Sequence, residues 1–117
     1  MPTPARVFEL RTYHVAPGRF DALQDRFRNH TLALFDRHGF TVIGFWTPLG
    51  GGDLPIDTLV YLLAFPDREA AEQAWTDLRA DPVWVQAKAD SERKAGGSLT
   101  TAIESVFLTA TDYSPIV

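Results

Sequence analysis

The chain has 117 residues, of which 45% are hydrophobic and 22% charged, with a formal net charge of -4 and no cysteine. Such a composition suits one globular domain over residues 1–117, long enough to bury a core. The absence of cysteine excludes disulfides, thiolate metal sites and cysteine nucleophiles, and an acidic chain with no dense basic cluster gives nucleic acid and anionic membrane nothing to bind.

In chain order, Met1 to Arg6 hold no apolar stretch before Val7, so no secretory signal is expected. No apolar run approaches the roughly 18 residues of a spanning helix, which predicts no membrane insertion and a cytoplasmic protein. Phe8 to Gly18 reads as an alternating strand that stops at the Pro17-Gly18 turn. Phe8, Leu10 and Thr12 share one face; Glu9, Arg11 and Tyr13 share the other. An acid and a base on one strand face point to a partner, a pocket or a neighbouring subunit.

Arg19 to His38 reads as a helix, with Phe20, Leu23, Phe27, Thr31 and Leu34 on one stripe and His30 beside it. Gly39 suits the C-cap. Strand two is Thr41 to Pro48, followed by a loop through Gly50-Gly51-Gly52 to Pro55 that lacks the residues of a phosphate loop and is able to act as a flap. Strand three, Thr58 to Phe65, is nearly all apolar, as a strand covered on both faces should be. Asp67 is the expected N-cap of a helix from Arg68 to Arg79. Asp81-Pro82 breaks it, a second helical piece runs from Val83 to Lys94, and strand four spans Leu99 to Thr109 ahead of a short tail.

Strand, helix, strand, strand, helix, strand is the order of a ferredoxin-like βαββαβ fold of the α+β class: a four-stranded antiparallel sheet with two helices on one face. Strands three and four look apolar on both faces, so the uncovered face needs a second cover. A second copy of the chain is the simplest one, which predicts a homodimer joined through the open sheet face.

Four pieces of sequence resemble the NIPSNAP family of the dimeric α/β-barrel superfamily. They are Glu9-Leu10-Arg11-Thr12-Tyr13 with Pro17-Gly18, Gly44-Phe45-Trp46, Asp81-Pro82-Val83-Trp84, and Tyr113-Ser114-Pro115. Strand three departs from the family's His-Leu-Trp with Tyr61-Leu62-Leu63, which puts a difference of ligand specificity in view. The resemblance implies a ferredoxin-like fold and a dimer, and leaves the biochemical role undefined. Related barrel families include cofactor-free monooxygenases and haem enzymes with cavities between sheet and helices.

Candidate site residues follow from side-chain chemistry. Glu9 and Arg11 are read as an ion pair at or near the dimer interface, or, through the Arg11 fork, as a contact for an anionic or polar ligand. Tyr13 on the same face reads as an interfacial tyrosine or a ligand-orienting hydroxyl. His30 is the candidate general base if a cavity lies between helix and sheet. Trp46, Tyr61, Trp75 and Trp84 are core aromatics or the walls of an apolar pocket, with Trp46 and Tyr61 preferred as ligand contacts. His14 and His38 are expected at exposed element ends. His30 and His38 lie about 12 Å apart along a helix and cannot share an ion, so neither a metal nor a cofactor is expected. Three functions fit: binding of a small apolar or aromatic molecule, cofactor-independent oxygenase or isomerase chemistry with His30 as base, and a non-catalytic interaction module.

Overall fold

The period-two segment near the N-terminus forms β1 (Val7–Val15), which ends at the turn before α1 (Phe20–Arg26). A π-helical turn, Phe27–Thr31, links α1 to α2 (Leu32–Arg37), and β2 (Thr41–Trp46), β3 (Thr58–Phe65), α3 (Arg68–Ala80), α4 (Pro82–Ala95) and β4 (Thr100–Thr109) follow. This computed structural model describes residues 6–50 and 52–117. The stretch read above for a leader lies outside them apart from Arg6, as does Gly51 at the centre of the expected flap.

The element ends have local causes. The carboxylate of Asp67 accepts the Ala70 amide at 2.7 Å and opens α3. Asp81 accepts the Val83 amide at 2.9 Å, and Pro82 takes the first position of α4, where a missing amide proton costs nothing. Gly96 closes α4 with φ of 89°, a left-handed conformation that side chains disfavour. Asp81 does more than cap: it also accepts from Arg37 at 3.0 Å and His38 at 2.9 Å, which ties the end of α2 to the α3–α4 corner. Hydrogen bonds from His38 and the Val83 amide, with Arg37 beside them, hold the Asp81 carboxyl below its ordinary value against the opposing effect of burial. His38 is therefore a bonded, largely covered side chain, and His14 is half-covered beside Glu104, so neither is the free surface histidine expected from its place in the chain.

The strands form one antiparallel sheet in the order β2-β3-β1-β4, with the helices on one face, which is the ferredoxin-like α+β arrangement. Register sorts the side chains. Glu9, Arg11 and Tyr13 stand opposite Leu63, Tyr61 and Leu59 on one side and Phe107, Ser105 and Ile103 on the other. This face lies beneath the helices and carries the core: Leu23, Phe27, Leu34, Phe35, Tyr61, Leu63, Trp75 and Leu78. Phe8, Leu10, Thr12 and His14 face the opposite way, beside Leu62, Val60, Val106 and Leu108.

That sorting corrects the expected place of the acid–base strand face. Glu9, Arg11 and Tyr13 do not stand at the open sheet face where a second copy would dock, because Phe8 and Leu10 hold the parity that points there and Trp75 of α3 covers the acid. β4 is also less covered than its apolar content suggests. It is an edge strand, and Ile103, Val106 and Leu108 are exposed.

Candidate functional site

Between the sheet and the helices lies a cavity of about 230 Å³. Arg11, Tyr13 and Ile103 rise from the sheet; Arg26, Phe27, Thr31 and Phe35 come from the first helical rod; Trp75, Arg79, Trp84, Lys88 and Glu92 come from α3 and α4.

The floor is a closed polar network. Glu9 is 2% exposed and each of its oxygens is engaged: Oε1 accepts from Trp75 Nε1 at 2.7 Å, and Oε2 accepts from Arg11 Nη1 at 2.9 Å and Ser105 Oγ at 2.6 Å. Arg11 also donates through Nε to the Tyr61 hydroxyl at 3.0 Å, and the Tyr13 and Tyr61 hydroxyls lie 2.8 Å apart. Its guanidinium packs 4.1 Å from the Trp75 ring centre. Burial by itself would lower the pKa of Arg11, but Tyr61, Tyr13 and Glu9 more than offset it, so the group is held charged above its ordinary value. Burial pushes the Tyr61 hydroxyl well up, reinforced by Tyr13, so it stays a neutral donor and acceptor. A network this complete fixes the register of β1 between β3 and β4.

The wall is built by the π-helical turn. The amide of Leu32 reaches back to the carbonyl of Phe27, and the Thr31 hydroxyl donates to the carbonyl of Arg26 at 3.3 Å. One added residue per turn lets Arg26, Phe27, Thr31 and Phe35 all meet the cavity, a widening that π-turns recurrently bring to functional sites. Arg26 lies 5.0 Å from the Trp84 ring centre and donates Nη1 to Ser91 Oγ at 3.2 Å. Its Nε is buried and has no hydrogen-bond partner among the described residues. Burial lowers the pKa of this arginine, with Tyr13 and Glu92 acting in the opposite direction.

The residues singled out from sequence divide accordingly. Arg11 and Tyr13 meet at the cavity. Tyr61 lies beneath it, 0% exposed, and supports Arg11 rather than lining the space. Trp46 is on the far side of the sheet and 54% exposed, because the Ile43 bulge sets it opposite Val60, where an unbroken register would set it opposite Leu59 on the helix side. Its ring folds over Gly44, where a β-carbon would come within 2.7 Å of it, which gives the Gly-x-Trp spacing a packing reason. His30 is exposed and borders an open groove between the π-turn and α4 with Asn29, Asp90 and Lys94; it does not line the cavity between helix and sheet. Among the described residues no cluster of three or more acids or histidines is placed to hold a metal ion, and no helix is long and apolar enough to cross a membrane.

Arg26 is the contributor that sequence reasoning passed over. Its neighbour Phe27 carries the apolar stripe, and a charged residue next to it reads as a solvent-facing position unless the helix is known to widen there. Phe20, Leu23, Phe27, Thr31 and Leu34 kept a plausible helical spacing and so concealed the π-turn.

The NIPSNAP family model matches residues 8–115. Among solved structures, a NIPSNAP family protein of unknown function from Agrobacterium tumefaciens is 21% identical with a TM-score of 0.81, the match covering 99% of this chain and 97% of that one. An uncharacterised NIPSNAP-like domain protein from Burkholderia xenovorans is 18% identical with a TM-score of 0.79, covering 97% and 91%. A second uncharacterised NIPSNAP domain protein from that organism is 22% identical with a TM-score of 0.75, covering 93% and 98%. No curated protein matches the chain.

Proposed function

The chain belongs to the NIPSNAP family, and from that premise we propose that it binds a small, largely apolar or aromatic molecule in the cavity between sheet and helices. One observation carries this reading: a space of about 230 Å³ framed by Tyr13, Phe27, Phe35, Trp75 and Trp84. Aromatic walls with a few convergent polar groups are the usual make-up of a small-molecule site. Binding stands ahead of catalysis because the oxygenase or isomerase reading needs a base at the cavity, and His30 is outside it. The test is titration with phenol and indole, followed by tryptophan fluorescence, against an Ile103→Trp variant that fills the space. Saturable binding lost in the filled variant supports the reading; identical weak quenching in both variants sinks it.

The same reading takes residues 1–117 as one cytoplasmic domain that works as a homodimer through the open sheet face. Trp46, Val106 and Leu108 are exposed there beside Leu10, Val60 and Leu62. Strands about 4.8 Å apart and averaging roughly eight residues at ~3.3 Å each give a face near 500 Å². Two copies then bury about 1,000 Å², the lower bound for a specific interface. Light scattering should give twice the monomer mass, and Val106→Lys should give the monomer. A monomeric parent protein at micromolar concentration refutes the pairing.

A further inference from the structure

We infer that the cavity selects an organic anion, a small aromatic carboxylate, and that Arg26 is the residue that binds its carboxylate. The inference rests on the reading of the cavity as a ligand site and adds the charge and orientation of what enters it.

The first ground is the balance of charge. Among the described residues the cavity is bordered by Arg11, Arg26, Arg79 and Lys88 against a single acid, Glu92. Arg11 is matched by Glu9 at 2.9 Å, and Lys88 by Glu92 at 2.6 Å. Arg26 and Arg79 make no ion pair among the described residues, so the space is net positive inside a chain whose formal charge is -4. Positive potential in a partly desolvated concavity favours an anion over a neutral molecule of the same shape.

The second ground is the set of unused donors on Arg26, which borders the cavity. Arg26 is 8% exposed, and Ser91 Oγ takes Nη1. Nε is buried without a partner, and Nη2 makes no hydrogen bond among the described residues. Nε and Nη2 form one edge of the guanidinium, and two parallel N–H bonds along one edge are the geometry a carboxylate accepts. A buried donor left unmade is costly, so a carboxylate that reaches this edge supplies a bond that the described residues do not.

The third ground is the remaining wall. An inorganic anion would leave most of the 230 Å³ unfilled and in contact with Phe27, Phe35, Trp75 and Leu99. A space of about 230 Å³ has room for a single ring bearing a short acid. The ring packs among these aromatics, while the acid turns toward Arg26, with Arg79 at longer range.

Benzoate and its neutral isostere benzamide separate the two readings. Calorimetric titration of the full chain at neutral pH should show benzoate binding at least about tenfold more tightly than benzamide. In Arg26→Gln that preference should vanish while benzamide affinity stays within about twofold of the parent, and Arg26→Lys should retain part of it as a point charge without the fork. Arg79→Gln, at an exposed position, keeps the test valid if the Arg26 variants fail to fold: it should cost benzoate about threefold and benzamide nothing. Benzamide binding as well as benzoate overturns the anion inference and leaves the cavity reading intact. Failure of both, together with failure of phenol and indole, overturns the two readings at once.

Discussion

Arg11 and Arg26 are each 8% exposed, yet their surroundings differ in kind. Around Arg11 lie a carboxylate and two phenols, and every polar atom of Glu9 is engaged. Around Arg26 lie a serine hydroxyl, an indole face and an unbonded Nε. Equal burial thus accompanies two different roles. A charge whose partners come from the same sheet and the helix above it is part of the architecture. A charge with donors left over is available to something that is not part of the chain.

The largest expected effect is on the architectural side. Glu9→Ala leaves the Arg11 charge buried and unpaired and strands the Trp75 and Ser105 donors, so urea unfolding should show a loss of about 3–5 kcal/mol. A loss below about 1 kcal/mol would erase the distinction between the two arginines. Tyr61→Phe comes next: it removes one hydroxyl from beneath Arg11 and Tyr13 and should cost about 1–3 kcal/mol while leaving the cavity walls in place.

Asp81 supplies a reference outside both arginine sites. Its folded-state pKa lies below the ordinary value of about 3.9, so its contribution to stability is complete above that pH and is lost as acid titrates through the lower folded value. Unfolding followed below about pH 4 should show a stability slope that is reduced in Asp81→Asn, whereas above that pH the slope should be the same in both proteins. An unchanged acid limb in the variant would detach the Arg37–His38 corner from acid stability.

The smallest expected effect belongs to the other arginine. Arg26→Met removes the guanidinium over Trp84 together with an incompletely bonded charge, so the loss of one contact and the relief of the other offset and stability should move by no more than about 1 kcal/mol in either direction. A loss as large as that of Glu9→Ala would make Arg26 structural.

Much of the fold was legible because it follows from local rules. The alternation of Phe8 to Tyr13, the Asp67 cap, the Asp81-Pro82 break and the glycine that ends α4 each act within a few residues. The site was legible only in part. Arg11 and Tyr13 were found because an acid and a base on a strand face stand out from an apolar pattern. Trp46 was preferred as a ligand contact, and the bulge at Ile43, which shifts pairing without altering composition, turns it to the sheet face away from the cavity. His30 was chosen because it borders the apolar stripe, but that border faces α4 and water.

The amino-acid sequence by itself determined the order of elements, their ends and the two faces of β1, since side-chain period and capping chemistry depend on near neighbours. Tertiary structure alone decided which face of β1 the helices cover, that the first helical rod widens at Phe27–Thr31, and that Glu9 compensates one arginine while Arg26 keeps an unbonded edge. The reason is physical. Compensation of a buried charge depends on groups that are distant in the chain, such as Trp75 and Ser105 around Glu9 or Ser91 and Trp84 around Arg26, and only packing brings them together.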